Sequence, residues 1–405
     1  MLTWFHHVSM GVWKWDVTLY DRPGWSGRFR GRARVHAPDG RRIYVRFEEV
    51  ERVSYYGDQF MGRHADTCLV SDDAGPTWQR TLSPPSMDGV ALPDGTRLVV
   101  DHTCATRRGD ALRTHLQEAG VPHLWSPEAF SWWDVASADR RAELERRGLF
   151  VREAGPPGAR FIAYLRDLSV GLCPPGGTEW TWRPLEGVPP MAHLSGWWRQ
   201  RAVVLPDEVV VGCATGRVEP NEVQNSAFAL RTPDRGATWR LIPIARLRGT
   251  LGFNETFMHL MPDGRILALI RTTAPDSHLY RSQSADGGLT WSEPERTPIW
   301  GYPAHVIQLQ HPGALLCVYA HRRHPFGVRA VLSHDGGATW DVAAEKLLRD
   351  DSTDVAGYPT SVELEDGSIF TAYELGKPGA EGERPHSYVA ASRYTPDYVA
   401  PLGRN

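Results

Sequence analysis

No stretch of this sequence approaches the roughly 18 consecutive apolar residues of a membrane span, so no membrane partner is expected. Cysteine is scarce: five residues, at 68, 104, 173, 213 and 317, odd in number and without a C-x-x-C pair. They read as reduced core or strand residues of a cytoplasmic protein. Neither sign of charge dominates, and a formal net charge of −3 gives no general attraction to nucleic acid. The N-terminus, Met1 to His7, lacks a basic region followed by an apolar one, so no signal peptide is read; a secreted location would require a leader already removed. No metal-ligand spacing stands out. Asp350, Asp351 and Asp354 cluster without the order of a Ca²⁺ loop and read as a solvated turn, so neither metal nor cofactor is expected.

What the sequence does have is tryptophan, 16 copies, within an ordinary globular balance of 41% hydrophobic and 23% charged residues. Four of these tryptophans end one phrase, S/T-x-D-x-G-x-T-W. The copies are Ser71–Trp78, Thr232–Trp239, Ser284–Trp291 and Ser333–Trp340. An Asp and hydroxyls that bond nearby backbone, with a Gly free to take φ > 0, make a tight turn between strands. The Trp restarts a strand and buries a large ring against its own hairpin. Thr232 and Ser284 are 52 residues apart, and Ser284 and Ser333 are 49 apart, a period suited to a four-stranded propeller blade. Turns near Gly40, Gly95, Pro206, Gly264, Gly313 and Gly367 bring the count to six. The second unit has a degenerate phrase around 177–182, and the sixth has none.

The expected fold is therefore all-β, a six-bladed β-propeller of four-stranded blades filling residues 1–405 as one domain. The alternating Trp13, Trp15, Val17 and Leu19 mark an N-terminal strand that should complete the last blade and hide its edge. The strand pattern fails over 105–157 in blade two. Short helices are expected there at 112–119 and 137–147, in a partly helical insertion carrying Trp125, Trp132 and Trp133. That insertion is either a packing ornament or a wall of the site.

The phrases belong at outer turns, so function is sought at the inner strands. Tyr358-Pro359-Thr360-Ser361 leads through Asp366-Gly367 to Tyr373-Glu374. Asn254-Glu255-Thr256 leads through Pro262-Asp263-Gly264 to Arg271. Phe29-Arg30 lies ten residues before Gly40. With the four boxes, these motifs resemble those of the sialidase (neuraminidase) superfamily, whose Asp-box, or BNR, repeats build six-bladed propellers. The box resemblance covers nearly the whole chain and the site motifs about a tenth of it.

The resemblance implies an exo-acting glycoside hydrolase that removes a terminal acidic sugar with retention through a tyrosyl intermediate. By it Tyr358 is the nucleophile, Glu255 takes its proton, and Glu374 braces an arginine of the site. Arg30 and Arg271 are two arginines that bind the substrate carboxylate. The third is one of Arg322, Arg323 and Arg329, which spacing leaves open. Asp58, 13 residues ahead of Ser71, is the acid/base and is preferred to Asp66.

The chemistry of such a set is coherent. Three guanidiniums on one carboxylate give fixed, charge-assisted hydrogen bonds. A carboxylate nucleophile would be repelled by that same carboxylate, so a neutral Tyr activated by Glu is workable, as in the sialidase exception among glycosidases. Other readings use the same residues. Tyr358 and Glu374 also suit ordinary strands. His305, with His259, His321, His324, Tyr302 and the twin Gly-Tyr-Pro starts at 301 and 357, permits a propeller lyase or other glycosidase acting on uronates. A non-catalytic propeller that binds carbohydrate or protein is the third.

Overall fold

In the computed structural model, residues 3–9, 12–29, 33–51, 64–102, 137–139, 149–153, 160–164, 168–188, 202–216, 224–273, 276–310, 313–352, 356–378 and 386–398 are described. They form six antiparallel sheets arranged as the blades of a propeller, plus one separate hairpin. Within blades three to five each strand pairs with its sequence neighbour, and blade two keeps the same order around one interruption. The first strands of blades four, five and six (Phe253–Leu260, Ala304–Gln308, Ala356–Glu363) touch one another across blade boundaries, marking them as the inner strands around the axis.

Apolar side chains fill the spaces between neighbouring blades rather than one centre. Leu267, Leu269 and Leu279 of blade four meet Leu315, Cys317 and Val331 of blade five. Ile369, Tyr373 and Ala390 of blade six meet Leu316, Val318 and Ala330 of blade five. This is the division expected of a radial fold, where each sheet buries both faces against its neighbours. The described cysteines, 68, 173, 213 and 317, are buried and form no disulfide with one another, while Cys104 lies outside the described residues.

Blade six closes the ring. Its third strand, His386–Tyr394, pairs with Val12–Tyr20, and Thr3–Ser9 adds a fifth strand outside that. The N-terminal strand thus does complete the last blade. It also explains the missing sixth box: the third-to-fourth connection that carries a box elsewhere is here two ends of the chain.

Each box is held by its own side chains. In blade five the Ser333 hydroxyl donates to Asp335 Oδ1 at 2.8 Å and accepts from the Gly337 N–H at 2.8 Å. Asp335 in turn accepts from the Thr339 N–H at 2.8 Å and hydroxyl at 2.6 Å. The glycine has a second duty beyond φ > 0: a Cβ on Gly337 would stand 2.8 Å from Leu267 of blade four, and one on Gly75 would stand 2.4 Å from Trp15. Boxes therefore lie flat on the preceding blade. In blade two the degenerate phrase keeps a turn, with the Gly177 N–H on the Pro174 carbonyl, and Trp180 lies under the Arg97 guanidinium.

The insertion leaves blade two between its second and third strands, Arg97–His102 and Leu168–Cys173. Here the expectation of helix is only partly matched. Ala138 and Asp139 are helical, but Leu149–Glu153 and Arg160–Tyr164 pair as a hairpin, so the interruption runs beyond residue 157. Both segments are rich in aromatic and β-branched residues and flank a Gly-Pro-Pro-Gly run at 155–158, which is hairpin chemistry. Residues 112–119, Trp125, Trp132 and Trp133 lie outside the described residues.

Two measurements test this architecture. Trp340 is 5% exposed and packs in the layer between blades four and five. Trp340→Ala should lower unfolding free energy by about 3–5 kcal/mol, read by denaturant titration; an unchanged midpoint would remove the box tryptophan from the core. The second is acid sensitivity. Partial burial alone would raise Asp286 and Asp335, but the Thr hydroxyl and backbone N–H bonds outweigh it and hold both at about 2, against an ordinary 3.8. Folded values below unfolded ones give stabilisation that is complete above about pH 4 and disappears as pH falls towards 2. The melting temperature should drop through that window, and less steeply in Asp286→Asn/Asp335→Asn. Parallel acid profiles for variant and wild type would contradict it.

Candidate active site

Strand alternation decides which residues can meet. A blade's first strand starts, and its second strand ends, at the same rim; the boxes sit at the other. Tyr358 and Glu255 lie at the starts of first strands, in blades six and four. Arg271 and Glu374 lie at the ends of second strands in the same two blades. Tyr302 and His305 are at the start of blade five, and Arg322 directly follows the end of that blade's second strand at His321. All of them share one rim. The insertion also leaves and re-enters blade two there, after His102 and before Leu168.

Two β-bulges aim the central pair. Between Gly357 and Thr360 the pairing slips, so that Tyr358 and Pro359 oppose Tyr373 alone. Between Phe253 and Thr256 it slips again, and Asn254 and Glu255 oppose Arg271. A bulge re-aims side chains that a regular pleat would send to alternate faces. Tyr358 also has φ 54°, a costly conformation for an aromatic residue and one that clusters at functional sites.

The result is a compact hydrogen-bonded set. The Tyr358 phenol donates to Glu255 Oε1 at 2.8 Å, and Arg271 Nη1 donates to Glu255 Oε2 at 2.6 Å. Tyr358 and Glu255 are each 8% exposed. Burial alone would lower the Arg271 pKa, but Glu255 and then Tyr358 outweigh it and raise it further above its ordinary value. The guanidinium is thus charged at every accessible pH. Arg271 lies over the Tyr302 ring with 4.2 Å from Cζ to the centroid, and Arg322 lies over the same ring at 5.2 Å and over Tyr358 at 5.8 Å.

Of the three arginines left open by spacing, the structure brings Arg322 to Tyr358. Arg323 instead lies over Trp300 at 4.4 Å and donates from Nε to His321 Nε2 at 3.1 Å. Arg329 sits in the middle of the third strand of blade five, ion-paired with Glu345, which also accepts from the Tyr319 phenol. Glu374 is fully buried and accepts the Phe29 N–H at 3.0 Å, tying blade six to the residue beside Arg30. His305 accepts from the Ser361 N–H at 3.3 Å and packs on Phe257, bridging blades five and six. Asp58 and Arg30 lie outside the described residues.

Two site features carry no family motif in the sequence. Gly357 makes room for Arg322, whose Nη2 would stand 2.9 Å from a Cβ there. Tyr302 entered only through the His/Tyr reading, and its signal is the Gly-Tyr-Pro shared by 301 and 357. Among the described residues no group of three or more His, Cys, Asp or Glu could hold a metal ion.

Six blades, Asp boxes and a Tyr–Glu–Arg set at one rim define the class to which comparison should be made. Residues 176–371 match the BNR repeat-like domain. A crystal structure of a protein of unknown function from Dyadobacter fermentans is 20% identical, with a TM-score of 0.65, covering 94% of this chain and 97% of that one. The NanB sialidase of Streptococcus pneumoniae is 12% identical, with a TM-score of 0.55, covering 92% of this chain and 69% of that one. The intramolecular trans-sialidase of Ruminococcus gnavus, in complex with oseltamivir carboxylate, is 13% identical, with a TM-score of 0.53, covering 92% and 95%. No curated protein matches. The chain is an Asp-box, six-bladed propeller that shares its fold with these proteins.

The contrast between Arg322 and Arg329 is testable. Arg329→Ala leaves the Glu345 carboxylate without its guanidinium and should cost about 1.5–3 kcal/mol of stability, with carboxylate-ligand affinity unchanged. Arg322→Ala should weaken a carboxylate ligand about tenfold or more while the melting temperature barely moves. Thermal unfolding and calorimetric titration with a carboxylate decide it; the opposite pattern would give Arg322 the structural role and Arg329 the open one.

Proposed function

We propose that this protein is an exo-acting glycoside hydrolase that removes a terminal acidic sugar, sialic acid or a relative, with net retention. The observation that carries the reading is the Tyr358 phenol on one oxygen of Glu255 with Arg271 on the other. A tyrosine ordinarily titrates near pH 10, so its oxygen attacks only if a base removes the proton as the bond forms. Glu255 Oε1 is placed to accept that proton. As Glu255 gains it, its attraction for Arg271 weakens, and the guanidinium charge becomes more available to the anionic sugar. Arg271 and Arg322 both face the rim where a substrate carboxylate would lie, and Arg30 is assigned to the same carboxylate by resemblance.

In this scheme Tyr358 Oη displaces the leaving group at the anomeric carbon while Asp58 protonates the departing oxygen. Asp58 then activates a water, which displaces the tyrosyl oxygen from the same carbon; two inversions give retention. The tyrosinate that leaves recovers its proton from Glu255. A His-based lyase has less to draw on, since His321 spends Nδ1 on the Pro325 carbonyl and Nε2 on Arg323.

The test is hydrolysis of a panel of fluorogenic glycosides that includes a sialoside and uronides. On whichever substrate is turned over, Tyr358→Phe should reduce kcat by about 10²–10⁴-fold or more. It should cost only about 1 kcal/mol of stability and leave substrate binding in place. A 2,3-difluoro sialic acid should label Tyr358 in the wild type. Near wild-type turnover by Tyr358→Phe would end the tyrosyl mechanism.

A further inference from the structure

The two arginines that approach Tyr358 share a support that neither hydrogen bonding nor strand pairing accounts for. Both guanidiniums lie over the ring of Tyr302, Arg271 at 4.2 Å and Arg322 at 5.2 Å from its centroid. They come from different blades, Arg271 from the end of a strand in blade four and Arg322 from the end of one in blade five. Two like charges brought to one place repel, and the repulsion is strong where water is scarce. The negative face of an aromatic ring offsets part of that cost and also fixes the plane in which each fork lies. Tyr302 can do this because it is itself held: its N–H donates to the Ala320 carbonyl at 2.8 Å, and its half-buried ring packs on the apolar layer between blades four and five.

We propose that Tyr302 is a positioning residue that sets the spacing of Arg271 and Arg322 as a two-armed carboxylate receptor. The inference rests on the acidic-sugar reading above and assigns the selectivity for a carboxylate to the ring of Tyr302, not to its hydroxyl. Arg322 also comes close to Gly357, where a Cβ would stand 2.9 Å from Nη2.

The test compares a cyclic acid, 2-deoxy-2,3-didehydro-N-acetylneuraminic acid, with its neutral carboxamide by calorimetric titration, so turnover is not needed. Wild type should prefer the acid. Tyr302→Phe, which keeps the ring, should hold that preference within about twofold, and Tyr302→Leu should lose about tenfold of it. In a sialoside assay the loss in Tyr302→Leu should fall on KM with kcat nearly retained. Should Tyr302→Leu not fold, Tyr302→Met, which also removes the ring and keeps apolar bulk, supplies the same test. Undiminished acid preference in Tyr302→Leu, or in Tyr302→Met if that variant stands in, would overturn the inference and leave the enzyme reading intact. Equal losses in Tyr302→Phe and Tyr302→Leu would give the role to the hydroxyl and overturn it as well. If the wild type binds neither probe, the acidic-sugar reading falls and the inference falls with it.

Discussion

Closure of the ring depends on the antiparallel pairing of Val12–Tyr20 with His386–Tyr394, and the site depends on closure. Without that pairing blade six would end in an open edge, which proteins ordinarily cover or close. The pairing also links a buried polar cluster across the two strands. Lys14 donates to Asp16 at 2.5 Å, Asp16 accepts from the Ser392 hydroxyl, and Ser392 meets the Tyr373 phenol at 2.5 Å. Burial is the largest influence on Lys14 and lowers its pKa, with Asp16 opposing. The Lys14–Asp16 pair lies within one strand, so the side-chain contact that ties the two closing strands is the Ser392 hydroxyl on Asp16. Tyr373 opposes the bulge that carries Tyr358, so the closing strand and the site share one blade's packing.

Within that ring the site is made by departures from regular pairing. A first strand with perfect alternation would send Tyr358 and Glu255 to positions set by the pleat. Each instead stands in a bulge opposite one residue of its neighbouring strand, and Tyr358 adopts a left-handed backbone. The two bulges, two blades apart, bring together residues separated by 103 positions in the chain. Irregularity at the rim is tolerable because the middle of each strand remains regular and packed.

The boxes, by contrast, were legible almost completely. Their side chains bond their own turn, so the information is local, and a local motif is visible in a single sequence. The degenerate turn of blade two was legible for the same reason, as was the absence of a box in blade six. The hairpin at Leu149–Glu153 and Arg160–Tyr164 was not separated from the helical expectation around it, because short apolar segments are ambiguous between helix and strand. At the site, Tyr358, Glu255, Arg271 and Glu374 were suggested by motif spacing. The choice among Arg322, Arg323 and Arg329 was not, since three arginines within eight residues differ only in what surrounds them.

The sequence alone determined the repeat, the number of blades, the turn chemistry and the four residues whose spacing resembles a known site. These follow from short-range patterns, in which period, Gly position and strand alternation are physical constraints on the neighbouring chain. Tertiary structure decided which side chains meet across blades. It set Arg322 beside Tyr358, gave Arg329 to Glu345, laid Arg271 and Arg322 over Tyr302, and made the box glycines seats for the preceding blade. The reason is geometric: contacts between blades depend on how sheets twist and pack around an axis, and no single strand carries that information in its own residues.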